Sequence, residues 1–195
     1  MRHLRALLLA LPLFAAPVVM AQELDGPAYG SEAYADEREA LFAALKSAES
    51  ELEARAAEDA IWAMWFRGPS YEIGERMDVA SQRLRWGEYD AAREILDGIL
   101  VDAPGYSEAY NQRAFAYFLM GNYEESLADI DRTLDLEPNH FGALSGQAQI
   151  FIRQSLIEKA IGVVRQATKI HPWLRERYML PESERIDGRP EGEEL

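Results

Sequence analysis

Apolar residues recur at helical spacing along most of the chain, and the first such stretch lies within residues 36–68. Neighbours three and four residues apart share one face of a helix, so this spacing predicts amphipathic helices. Ser50 followed by Glu53 is a capping-box pattern, which divides the stretch into two predicted helices, Asp36 to Ser47 and Glu51 to Phe66. Their apolar positions are Leu41, Phe42, Leu45, Leu52, Ile61, Trp62, Trp65 and Phe66.

The rest of the helical region repeats itself every 34 residues, as Pro104, Pro138 and Pro172 mark. Six coincidences in one frame predict an internal repeat rather than chance. The other five sets are Gly87, Gly121 and Ser155; Tyr89, Tyr123 and Ile157; Ala92, Ser126 and Ala160; Ala80, Ala114 and Ala148; and Leu96, Ile130 and Val164.

Each repeated position suits a pair of antiparallel helices. Small residues such as Ala114 and Ser126 permit close approach of two backbones where the helices cross. Gly87 and Gly121 lie between the two apolar periods, where a helix must end and a positive φ is convenient. The proline that follows each second helix prevents that helix from continuing. Each repeat is therefore predicted to be one helix pair.

This combination of period and residue types resembles the tetratricopeptide repeat. The units are residues 73–106, 107–140 and 141–174. The resemblance implies an all-α fold, a right-handed solenoid of antiparallel helix pairs. Residues 36–68 are expected to form a further, degenerate N-terminal helical pair that caps the leading edge of these three units. The middle unit resembles the family best, through Tyr110, Tyr117, Gly121-Asn122-Tyr123, Ser126, Ile130 and Pro138.

The flanking units depart from the family pattern. The first unit has Arg76 and Arg83 where bulky apolar residues are usual, and the third has Ser155 where the turn glycine belongs. These departures leave the three units recognisable, but they make the helix packing at both ends less predictable.

The start of the chain is typical of a signal peptide. Residues 1–21 combine a basic beginning, an apolar run and small residues before a cleavage site predicted after Ala21. The apolar run is short and contains Pro12 and Pro17, so stable membrane insertion is not expected. The predicted location is therefore periplasmic or secreted, and residues 22–35 are expected to be a flexible leader.

The end of the chain leaves two alternatives open. Residues 175–195 are predicted to form a short cap followed by a disordered acidic tail. Either the segment from Trp173 to Leu180 folds back over the third unit, or that unit exposes a trailing face. An exposed trailing face would let the protein stack on itself as a homo-oligomer or dock onto a partner.

Charge and chemistry narrow the function. The net charge of −14 disfavours nucleic acid as a partner, and the absence of cysteine excludes thiol chemistry and disulfides. His140 and His171 follow successive second helices, so they are predicted to lie a repeat apart rather than to share a metal ion. No nucleophile elbow or phosphate-binding glycine loop occurs. We therefore expect no catalysis, no cofactor and no metal.

The concave face of a repeat solenoid is built from the first helices of its units, and helical phase assigns eight residues to it. Asn111 and Gln149 are expected to bond the backbone of a bound segment, while Phe115, Phe118 and Ile152 supply apolar contact. The alternative is that the N-terminal pair fills this groove from within. The eight residues are Met77, Ser81, Asn111, Phe115, Phe118, Ser145, Gln149 and Ile152.

These features predict a periplasmic scaffold or adaptor that binds another protein, an unidentified envelope protein or peptide segment, through its concave groove. The basic residues with which tetratricopeptide domains clamp acidic chaperone tails are absent, so a chaperone tail is not the expected partner. The alternative function is a structural component that assembles with itself through its exposed terminal repeat.

Overall fold

A computed structural model describes residues 26–185 of the chain. Within that range the structure is all-helical and has no strand, which confirms the predicted fold class. The helices are α1 (Glu32–Ser47), α2 (Glu51–Phe66), α3 (Tyr71–Arg85), α4 (Tyr89–Asp102), α5 (Ser107–Met120), α6 (Tyr123–Leu136), α7 (Phe141–Arg153) and α8 (Ile157–Ile170). The predicted signal peptide and the end of the acidic tail lie outside the described residues.

The three predicted repeats are three consecutive helix pairs, α3 with α4, α5 with α6, and α7 with α8, and each pair packs on the next. The small residues predicted at the helix crossings are all buried, and the Ser126 hydroxyl donates to the Ala114 carbonyl at 2.7 Å. A larger side chain at these points would separate the helices. The six buried small residues are Ala80, Ala92, Ala114, Ser126, Ala148 and Ala160.

The turns inside the pairs share one backbone conformation. Gly87 and Gly121 have φ of 78° and 80°, as the sequence predicted. Ser155 has a φ of 60° at the equivalent position. Within the described range it is the one non-glycine residue with a positive φ. The third unit therefore adopts the repeat's turn at the expense of a strained serine.

An arginine joins the first two units. The guanidinium of Arg113 in α5 donates to Asp97 in α4 at 2.7 Å and to Asp129 in α6 at 2.8 Å. The hydrogen bond with Asp129 is the largest cause of the raised pKa of Arg113. This bridge ties α5 to the helices on both sides of it.

The N-terminal pair has the predicted helices but a different position. α2 has the predicted bounds, whereas α1 begins at Glu32, inside the expected leader, because the Ser31 side chain accepts a hydrogen bond from the Tyr34 amide. The pair does not cap the leading edge. It lies over the first turns of α5 and α7, where the Tyr106 hydroxyl donates to the Trp65 carbonyl at 2.9 Å.

The end of the solenoid is covered by a short segment. A 3-10 helix at Arg175–Met179 packs on α8, and a second follows at Glu182–Glu184. Trp173, Leu174 and Leu180 are buried in the same apolar cluster as the inner face of α8. Of the two alternatives, the structure has the fold-back, because these side chains cover the apolar face that stacking would need. Among the described residues no helix is long and apolar enough to be a membrane span.

Candidate protein-binding surface

The eight predicted groove residues fall into rows that the repeat places at equivalent points of α3, α5 and α7. In the first row, Met77, Asn111 and Ser145 are 0%, 1% and 4% exposed. In the second row, Ser81, Phe115 and Gln149 are partly exposed, as are Phe118 and Ile152 one turn further on. The inner face is therefore half covered. In all three units the boundary between buried and partly exposed residues lies between the first row and the second row.

The covering element of the second and third units is α2. Trp62 packs edge-on against Phe141, with ring centroids 5.6 Å apart, and a Cβ at Gly142 would collide with the Trp62 indole. In the first unit, Phe66 and Tyr29 pack against the cluster that contains Met77. The suggestion that the N-terminal pair fills the groove from within is thus correct for the first row of residues.

Asn111 has a different role from the one expected. Its amide donates to the carboxylate of Glu108 at 3.1 Å, so it is not free to bond the backbone of a partner. Gln112 donates to the same carboxylate at 2.6 Å, and His140 Nε2 lies 2.9 Å from it. The sequence prediction failed here because Glu108, one turn earlier on the same helix, captures the amide.

His140 holds this network in one tautomer. Its Nδ1 accepts a hydrogen bond from the Ala143 amide at 3.1 Å, and so its Nε2 must carry the proton that faces Glu108. The imidazole therefore caps α7 through Nδ1 and donates a hydrogen bond to the buried Glu108 carboxylate through Nε2. The Trp65 indole stacks on its other surface at 3.9 Å between ring centroids.

The neighbouring Tyr106 is also fixed as a neutral donor. Burial raises the pKa of the Tyr106 hydroxyl well above its ordinary value, with the Glu108 charge adding to the effect. The hydroxyl therefore keeps its proton and donates to α2 over the whole physiological pH range. No signal in the sequence distinguished His140 as the partner of Glu108, since the two residues lie 32 positions apart on different helix pairs.

The open part of the groove is formed by Ser81, Phe115, Phe118, Gln149 and Ile152. These residues are partly exposed, although the hydroxyl oxygen of Ser81 is buried. Phe115 packs at the edge of the cluster of Leu84, Ala92 and Ala116. The Phe118 ring lies 5.9 Å from the Tyr123 ring, and the Arg153 guanidinium lies 5.9 Å from the Phe118 centroid. This surface is apolar, with an amide and a guanidinium at its margin.

The two histidines predicted to lie apart are bound to different carboxylates. His140 contacts Glu108, and His171 Nε2 lies 3.3 Å from Glu58. In the described part of the chain there is no group of three or more metal-binding side chains.

The geometry defines a helix-pair solenoid, and comparison with known proteins shows which proteins it resembles. The tetratricopeptide repeat family matches residues 107–140, the middle unit. A TPR repeat-containing protein of Rhizobium etli is 37% identical over 110 residues, which are 56% of this chain and 54% of that protein. The middle unit thus matches a tetratricopeptide repeat, a module that generally binds other proteins, and the chain is similar over about half its length to a protein that contains such repeats.

Two eukaryotic proteins share shorter stretches. The DnaJ protein P58IPK homolog B of Oryza sativa subsp. japonica is 30% identical over 83 residues, 43% of this chain and 18% of that protein. The protein SGT1 homolog of Bos taurus is 41% identical over 54 residues, 28% of this chain and 16% of that protein. The chain thus spans about half the length of the bacterial relative and under a fifth of these two.

Proposed function

We propose that this protein is an exported scaffold of the periplasm that holds an envelope protein and performs no catalysis. The observation that carries the proposal is the half-covered inner face. α2 seals the first row of groove residues, while two phenylalanines, an isoleucine and a glutamine remain partly exposed just beyond it. Apolar side chains beside a free amide suit an extended or helical segment of another protein.

The covered and open halves of the inner face have different roles. The covered half contains Trp65, Met64 and Ile61, which are at most 1% exposed, so α2 is part of the core rather than a removable occupant. Its role is to make the open part of the groove rigid, which reduces the ordering that binding requires. The partner therefore binds beside α2 and does not displace it.

Crosslinking in living cells tests this proposal. A photoreactive amino acid at Gln149, in the open part of the groove, should give an adduct heavier than the chain itself, and mass spectrometry should identify one recurrent envelope protein in it. The same amino acid at Leu136, exposed on the outer helix α6, is the matched control. Equal adducts from both positions would contradict groove binding.

Export has its own test. The basic start, the apolar run and the small residues before Ala21 support cleavage there. N-terminal sequencing of the protein from a periplasmic fraction should begin at Gln22. Intact Met1 on membrane-bound material would overturn this part of the proposal.

A further inference from the structure

A cavity of about 620 Å³ lies where α2, the first turn of α7 and residues 171–178 meet. This volume is in the range of small-ligand sites. It is separate from the open part of the groove, with which it shares no lining residue. The function proposed above leaves it unused.

Two buried polar atoms at this cavity have no hydrogen-bond partner among the described residues, the Ser145 hydroxyl oxygen and His171 Nδ1. Both residues line the cavity and are at most 4% exposed. His171 Nε2 lies 3.3 Å from the Glu58 carboxylate, which can only accept, so Nε2 carries a proton. The Ser145 hydroxyl can accept as well as donate, so a ligand that brings hydrogen-bond donors would satisfy it.

The carboxylates of the cavity point to the same chemistry. Glu176 is 7% exposed, and its carboxylate interacts with its own backbone amide and electrostatically with His171 and Arg175. Burial raises its pKa, so an incoming positive charge would stabilise the ionised form. Glu58 and Asp59 also line the cavity. A cation would meet one buried carboxylate and two further ones at the cavity wall.

Two of the three arginines at the cavity are already committed. Arg177 donates to the carbonyls of Trp173 and Leu174, and Arg55 pairs with Glu51. The third, Arg175, is exposed. Within residues 26–185, these buried acceptors are therefore not matched by free buried donors.

Aromatic rings complete the walls, from Trp62, Phe141, Trp173 and Tyr178. Ring faces attract cations, and guanidinium groups also stack on them. The chain uses this interaction at the cavity rim, where the Arg177 guanidinium lies 4.5 Å from the Tyr178 ring centroid. A second guanidinium would find the same kind of surface inside.

We propose that this cavity holds one arginine side chain of the protein partner, with its guanidinium between the aromatic walls and the buried acceptors. This inference rests on the proposed function, because it assumes that the bound cation belongs to the protein partner. The net charge of −14 favours such a partner, because a basic segment is drawn toward an acidic surface. Arginine fits better than lysine because its planar group has five donors and stacks on rings.

The test uses the full chain and four short acetylated peptides that differ at one central residue, arginine, lysine, citrulline or glutamate. The arginine peptide should shift the indole N–H signals of Trp62 and Trp173 in nuclear magnetic resonance spectra, with saturation. The lysine peptide should bind more weakly than the arginine peptide. Citrulline, which has nearly the same shape without the charge, should fail to bind, as should glutamate.

Two variants locate the site. Glu176→Gln and Ser145→Ala should each weaken binding of the arginine peptide, the first by at least about tenfold because a buried charge loses its partner. Ser145→Ala removes an unpaired hydroxyl and should fold normally, which keeps the test valid if Glu176→Gln is unstable. Glu124→Gln, an equal change of charge on exposed α6, should bind as the unmodified chain does.

Equal binding of citrulline or glutamate, no saturable shift, or full affinity in both cavity variants would overturn the inference. None of these results would touch the proposed function, which is read from crosslinks at Gln149. Conversely, if those crosslinks were lost while the arginine peptide still bound, groove binding would be contradicted and the arginine site in the cavity would still be supported.

Discussion

The Trp65 indole lies flat on the His140 imidazole, with 3.9 Å between ring centroids and 8° between ring planes. This contact joins a helix outside the repeats to the residue that caps α7. It explains how a degenerate N-terminal pair becomes part of the solenoid's core.

Trp65→Ala should lower the free energy of unfolding by about 4 kcal/mol, because it empties the interface between α2 and the repeats. Trp86→Ala is the matched control, since Trp86 is 62% exposed, and it should change stability by less than about 1 kcal/mol. Urea unfolding followed by circular dichroism measures both. Similar losses in the two variants would mean that α2 is not held as the structure shows.

Ser155→Gly should raise the stability of the protein. The serine holds a φ of 60° at a turn where the other two units have glycine, so glycine should relieve about 1 kcal/mol of backbone strain. Ser155→Ala, which keeps a Cβ, is the control and should not be stabilised. Thermal melts compare the three proteins, and a lower melting temperature for the glycine variant would refute the strain.

Tyr123→Ala should destabilise the middle unit by about 2 kcal/mol, since the half-buried ring lies beside Phe118 and packs against the buried cluster that contains Ala114 and Ile130. In a linear solenoid the loss falls between units, so unfolding should also become less cooperative. Denaturant curves recorded by two different probes should then separate. Coincident curves with an unchanged midpoint would show that Tyr123 contributes little.

The ion pair between Glu37 and Arg67 should make the stability of the protein depend on pH. The hydrogen bond from Arg67, at 2.7 Å, lowers the pKa of Glu37 in the folded protein. Its stabilisation is therefore present above the unfolded pKa of about 4.3 and is lost as the pH falls through the lower folded value.

Glu37→Gln should accordingly be less stable than the unmodified chain at pH 7, and the difference should close below about pH 4. Glu39→Gln, exposed on the same helix, should show no such closing gap. Urea titrations at several pH values give the comparison. A gap that persists unchanged at pH 3 would exclude the pKa shift as its cause.

What the sequence predicted well was local. The bounds of α2 followed from the Ser50 cap, and the turns at Gly87 and Gly121 followed from the need for positive φ. These features depend on residues close together in the chain, where spacing and residue type carry the physical information.

What the sequence did not predict was long-range. The place of the N-terminal pair depends on contacts such as Tyr106 with Trp65, whose partners are 41 residues apart and carry no common pattern. Two local features were also missed: the early start of α1 depends on the Ser31 cap, and the capture of Asn111 depends on Glu108, and residue spacing did not favour either over its alternative. The binding role of the open part of the groove stays a prediction.

The most direct test of that role combines the Gln149 crosslink with a change at Phe115. Phe115→Ala should reduce the partner adduct by about tenfold or more, as expected for an apolar anchor at an interface, while the protein keeps a cooperative melt. Leu136→Ala, on the outer face, should leave the adduct unchanged. An undiminished adduct in folded Phe115→Ala would contradict the claim that the open part of the groove binds the partner.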